Sequence, residues 1–163
     1  MFPILPPSLP VAFPVFPFYN VFTGSRQGLV IIKEILMKLN VDCIRDVLLT
    51  MEDMPRNETL TGSELREILS EYPGDTVDYS CLKLKEAGYI NAVISPYEND
   101  FIVCELRDIT FQGHQFLADI YSDSVWANVK NVSEKIGSHS VNALSHIASS
   151  VVMAIIKSQL GLI

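Results

Sequence analysis

Cysteine is scarce in this 163-residue chain, and no two cysteines are close in sequence. Cys43, Cys81 and Cys104 are separated by 38 and 23 positions, so no CxxC or CxH pair exists to seat zinc or a thioredoxin-like redox couple. Three scattered thiols fit a reducing, cytoplasmic compartment, with all three expected as small buried core residues. Bases are scarce as well: 12 Lys and Arg stand against 19 Asp and Glu, a net charge of −7. Binding to nucleic acid is driven largely by Lys and Arg displacing counterions from phosphates, so the balance disfavours a general nucleic-acid binder.

A catalytic constellation is also missing. His114, in Thr110-x-x-Gly113-His114-x-Phe116, has no Cys, Ser or carboxylate at a motif spacing and is expected as a helix-packing histidine. His139 and His146 lie seven apart, two turns along one helical face, beyond the i, i+4 spacing of a helical metal pair. The expectation is a protein that is not an enzyme, with no catalytic residues, no metal and no cofactor.

What is present is a hydrophobic fraction of 48% with 19% charged residues, which excludes disorder of the whole chain and suits one domain with appendages. The charge is uneven. Residues 1–40 carry +2, residues 41–124 carry −11 and residues 125–163 carry +2. Residues 1–36 hold six of the nine prolines, interleaved with Phe2, Phe13, Phe16, Phe18 and Tyr19. That density prevents helix continuation and central-strand pairing and predicts an extended or polyproline-like segment. Without a basic n-region it is a poor signal peptide. Met37-Lys38-Leu39-Asn40 reads like a natural start, so residues 1–36 are either dispensable upstream sequence or an arm that docks on the core or a partner.

From Asn40 onward the pattern becomes regular. Asn40 or Asp42 caps a first helix to about Asp53, with Val41, Ile44, Val47, Leu48 and Met51 facing inward. Thr61-Gly62-Ser63-Glu64 has the capping-box pattern and opens a second helix, closed by Pro73-Gly74. Asp75 or Thr76 caps a third helix carrying Val77, Cys81, Leu84 and Ala87, with Gly88 at its left-handed end. Tyr89–Ile94 and Phe101–Leu106 flank turn residues and predict a hairpin. Thr110 caps a fourth helix, and Ser122 or Asp123 a fifth in which Trp126 is expected in the core. This order predicts an α+β, mostly helical fold: a winged helix-turn-helix core over residues 37–123 with a two-stranded wing, then a C-terminal helical pair over residues 124–163.

In the last segment Leu144, Ile147, Ala148, Val151, Val152, Ile155 and Ile156 recur at helical spacing. Ser145, His146, Ser149, Ser150, Lys157 and Ser158 interrupt it too often for a convincing membrane span, which needs about 20 predominantly apolar residues. Core packing or self-association is the better expectation, with Leu144, Ile147, Val151 and Ile155 as the seam of a homodimer.

A resemblance enters on particular stretches: Met37–Asp46, Leu82-Lys83-Leu84-Lys85-Glu86-Ala87-Gly88-Tyr89-Ile90, Ile109–Leu117, Ser124-Val125-Trp126 and Leu144–Leu162. On these, residues 37–163 resemble the phage- and prophage-associated family labelled domain of unknown function 2513. The resemblance supports the winged-helix expectation and implies no activity.

A third helix that reads DNA would enter the major groove. Here the candidate surface is Thr76, Tyr79, Lys83 and Lys85, where only lysines offer favoured base contacts, and the turn Glu98-Asn99-Asp100 is acidic. The sequence therefore points to a cytoplasmic accessory protein of a phage or mobile element. It would act through protein contacts, with a basic protein partner and a homodimeric state. A DNA-binding transcriptional regulator is the alternative, and membrane attachment ranks last.

Overall fold

Asn40 starts the first helix for a local reason. Its side-chain Oδ1 accepts hydrogen bonds from the backbone N–H groups of Asp42 and Cys43, at 3.0 and 3.2 Å, which satisfies donors that have no partner inside the helix. Helix α1 then runs Val41–Glu52 and buries Cys43, Ile44, Val47, Leu48 and Met51. The computed structural model describes residues 38–97 and 100–162. The expectations for residues 1–36, for a start at Met37 and for Glu98 and Asn99 lie outside the described residues.

After α1 come a short strand β1 (Leu60–Thr61), helix α2 (Gly62–Ile68) and helix α3 (Gly74–Glu86). Strands β2 (Ile90–Tyr97) and β3 (Asp100–Ile109) form the hairpin, and helices α4 (Phe111–Ile120), α5 (Asp123–Ile136) and α6 (Val141–Gln159) complete the chain. The fold is α+β and mostly helical, with six helices and one antiparallel sheet among the described residues. The expected two-stranded sheet gains a third strand, because Leu60 and Thr61 pair with Leu106 and Glu105 to give the order β1–β3–β2. The hairpin register shifts between Asn91 and Ala92 and again between Val93 and Ile94.

Local chemistry sets most helix starts. Thr61 Oγ1 accepts from the N–H of Glu64 while the Glu64 carboxylate accepts from the N–H of Thr61, completing the capping box. Thr110 and Ser140 cap α4 and α6 by accepting from the N–H groups of Gly113 and Ala143. The start of α3 differs from expectation. Its N-cap is Pro73, with no side-chain cap bond, and Asp75 sits inside the first turn instead of capping it. A proline just outside a helix needs no N–H partner and has a φ near that of the first turn, so the helix extends back to Gly74.

The interior is one cluster to which every helix and strands β2 and β3 contribute, including Ile44, Leu65, Leu84, Leu106, Phe116, Trp126 and Leu144. Gly113 permits one of its close approaches: a Cβ there would collide with the backbone carbonyl of Tyr89 and with Ile109. Cys43 and Cys81 are buried as expected, but Cys104 is exposed, on the outer side of β3.

Two polar groups on α1 tie it to the α4–α5 corner. Arg45 Nε donates to the Ile120 carbonyl at 3.0 Å, and its Nη2 donates to the Tyr121 carbonyl at 2.6 Å and to Asp123 at 2.7 Å. Asp42 Oδ1 accepts from the indole N–H of Trp126 and from Lys130, both at 2.8 Å. Trp126 is 3% exposed, so its ring is in the core and only its N–H meets a polar partner. Burial alone would push the Asp42 carboxyl up. The hydrogen bonds from Lys130 and Trp126, with the charges of Lys130 and Arg45, outweigh it and hold the group below its usual range.

Two outcomes follow. Gly113→Ala should cost about 2 kcal/mol or more, because the obstructing atoms are backbone, and a thermal melt against wild type measures it. A carboxyl depressed in the folded state stabilises above its unfolded value, and that contribution is lost as pH falls through the folded one. Asp42→Asn should therefore be destabilised at pH near 7, and urea melts should show the gap to wild type closing on acidification to about pH 3.

Candidate functional site

Helix α3 buries Val77, Ser80, Cys81 and Leu84, the i, i+3, i+4, i+7 stripe of an amphipathic helix. Ser80 is accommodated because its hydroxyl donates to the Thr76 carbonyl at 2.8 Å. At about 100° per residue, the positions opposite that stripe are Asp75, Tyr79, Leu82 and Glu86. Tyr79 and Leu82 are half-buried, whereas Asp75 and Glu86 are exposed. The side opposite the buried stripe thus has two half-buried residues, Tyr79 and Leu82, between two exposed carboxylates.

Of the residues expected on this surface, Thr76, Tyr79 and Lys83 fall together at three- and four-residue spacing, and all three are half-buried. Lys85, two residues past Lys83, is exposed on a different side of the helix. Tyr79 and Lys83 line a cavity of about 450 Å³ shared with Leu39, His139, Val141 and Asn142, so they face the start of α6. Lys83 is occupied. Its ammonium lies 2.7 Å from the Glu86 carboxylate and 5.2 Å from the Tyr79 ring centroid. The bond to Glu86 raises its proton affinity above the ordinary lysine value.

The carboxylates gather at the other end of the helix. Asp78 accepts a forked pair of bonds from Arg66 Nη1 at 2.7 and 2.9 Å. Its carboxyl is nonetheless held above the usual range, first by burial and then by the negative charges of Asp75 and Asp100, against the pull of Arg66. Asp100 begins β3, so the base of the hairpin turn brings a third acid toward the head of α3. Leu82 and the approach of Asp100 were not among the sequence candidates. The first could have been found by rotating the helix away from its buried stripe; the second depends on tertiary packing.

The expected seam residues divide. Leu144 and Ile147 are buried within the chain's own core, Val151 is half-buried, and Ile155 is 40% exposed. The histidines are not where the sequence placed them. His114 is exposed on the rim of a 570 Å³ cavity that includes Met51, Arg56 and Arg107, because its position in α4 points away from the Gly113, Phe116, Leu117 stripe. His139 precedes the Ser140 cap and so lies outside α6, where its Nδ1 is 3.0 Å from the buried Ser133 hydroxyl. No group of three or more His, Cys, Asp or Glu side chains among the described residues is arranged to hold a metal ion.

The thiols separate by environment. Burial pushes Cys43 up to about 11 and raises Cys81 further, so neither offers thiolate near neutral pH.

A family model described as a hypothetical protein, DUF2513, matches residues 38–140. The match ends just before α6, so the Leu144–Leu162 part of the resemblance lies beyond it. An uncharacterized protein of Haemophilus influenzae is 31% identical over 117 residues, covering 71% of this chain and 96% of that protein. No solved structure matches the chain.

In the native protein one thiol, Cys104, should react promptly with a disulfide reagent such as DTNB, and all three should react after unfolding. Cys104→Ser should abolish the prompt phase alone.

Proposed function

We propose that this chain, which belongs to the family of hypothetical proteins designated DUF2513, is a non-enzymatic accessory protein of a phage or mobile element that binds a basic protein segment through α3 and the hairpin. In this reading the helices and hairpin form a winged helix. The order α1–β1–α2–α3–β2–β3 supports that, with a three-stranded sheet whose longest pair follows the third helix directly.

The observation that carries the proposal is the acidity of the face that would meet DNA in a groove-reading relative. Asp75, Asp78 and Asp100 lie toward the head of α3 and Glu86 at its far end, with the half-buried Tyr79 and Leu82 between them along the helix. Apolar residues flanked by charges of one sign suit a protein interface and favour a partner of the other sign. Phosphates would meet the opposite of what they need. Lys83 is engaged with Glu86, and Arg66 with Asp78. The alternative, a DNA-binding regulator, retains Lys85 as an exposed base on the same helix.

The experiment is a parallel titration of the full chain with an amphipathic Lys/Arg-rich peptide and with mixed-sequence duplex DNA. Peptide binding should weaken with salt, and about tenfold or more in Asp75→Asn/Asp100→Asn, as loss of two of those charges implies. Duplex binding that falls steeply with salt and is lost in Lys83→Ala/Lys85→Ala would reject the proposal in favour of the regulator.

A further inference from the structure

Helix α6 has two apolar stripes, and only one of them is used inside the chain. Val141, Leu144, Ile147 and Ala148 are buried against the rest of the core, and Val151 continues that side. On the opposite side Met153, Ile156 and Leu160 follow at i, i+3, i+7, with Val152 and Leu162 flanking them. These side chains are well exposed: Met153 52%, Ile156 44%, Leu160 66% and Leu162 70%. From Val151 to Ile156 every residue is apolar, and a helix apolar on all sides is ordinarily covered on all sides.

Charge and length choose the cover. Helix α6 holds no acid and a single base, Lys157, in a chain whose residues 41–124 carry −11. Two copies would repel each other across most of their surface but not here, and the same acidity opposes approach to an anionic lipid surface. Val141–Gln159 is long and apolar enough to cross a membrane, and 22% of it is buried in the protein. The part of α6 beyond Ala148 is only about 17 Å long, short of a hydrocarbon core of about 30 Å. The 3–4 spacing is that of a helix-on-helix seam, and an isologous pairing would place Met153, Ile156 and Leu160 against their own symmetry mates.

We infer that the distal half of α6 is a self-association element, and that its occupant is the same helix of a second copy, packed through Met153, Ile156 and Leu160. The expected seam of Leu144, Ile147, Val151 and Ile155 is thereby replaced by the stripe on the other side of the helix. The inference is independent of the acidic face on α3.

Sedimentation equilibrium of the full chain tests it. Wild type should be a dimer that dissociates on dilution. Ile156→Asp and Leu160→Asp should each weaken the dimer on the order of 30-fold or more, as expected for a charge placed at the centre of a seam. Ile68→Asp, at a residue 58% exposed on α2, should leave it unchanged. Circular dichroism confirms that the variants are folded, and either seam variant suffices should the other not fold. A wild type that is monomeric throughout would overturn the inference, as would a dimer indifferent to both seam substitutions. Flotation with vesicles of phosphatidylcholine and phosphatidylserine provides the other arm: monomer that floats in wild type and not in Ile156→Asp would assign the stripe to lipid and reject the dimer.

Discussion

The guanidinium of Arg45 holds two helix ends at once. Helix α4 ends with carbonyls that have no partner along its own axis, and Arg45 donates to two of them, Ile120 and Tyr121, while its third contact is the Asp123 carboxylate in the first turn of α5. The positive charge therefore lies at the negative end of one helix dipole and beside an acid of the next. A lysine could supply the charge but not a fork reaching three acceptors in fixed directions. One turn earlier on α1, Asp42 receives Trp126 and Lys130 of α5. Since α6 packs on both α4 and α5, the placement of the C-terminal helices against the N-terminal ones depends on these two adjacent turns of α1.

The same chemistry explains why so acidic a chain has so little base to offer. Between residues 41 and 124 there are six bases, and Arg45, Arg66, Lys83 and Arg107 are each within ion-pair distance of a carboxylate. Exposed pairs contribute little to stability, typically under 1 kcal/mol. Their consequence is for the surface: the acids outnumber the bases heavily, and most of the bases are already engaged. A ligand meeting this region encounters carboxylates first.

Much of the fold was legible because helix starts and hairpins are written in local chemistry. Asn40, Thr61 and Thr110 cap where a hydroxyl or amide precedes a periodic apolar run, and Gly88 takes a φ of 79° at the end of α3. Where the reading failed, a neighbour distant in sequence or a competing local preference decided. Pro73 displaced the cap of α3, and strand β1 required Leu106 and Glu105 as partners. Cys104 and Leu106 are one alternation apart on β3, yet the first is exposed and the second buried, because the hairpin register shifts nearby. The acidic cluster was half legible: Asp75 and Asp78 share a helix, but Asp100 reaches them only through the hairpin. On α6 the apolar period was plain, and it ran round the helix so completely that periodicity alone could not say which stripe faces inward.

The two register shifts in the hairpin have a bearing on how the protein keeps to itself. Strand β2 is the longer of the two outer strands among the described residues, and an outer strand offers a row of backbone donors and acceptors to any chain that drifts alongside. The extra residue at each shift, Arg107 and Cys104, lies on the central strand β3 and increases the twist of the hairpin there, and Pro96 near the end of β2 supplies no N–H at all. A strand from a neighbouring molecule would find no straight run of complementary groups along which to zip. The edge is thus poorly suited to nucleating a cross-β stack, and a crowded solution of this protein is steered away from fibrous, open-ended growth.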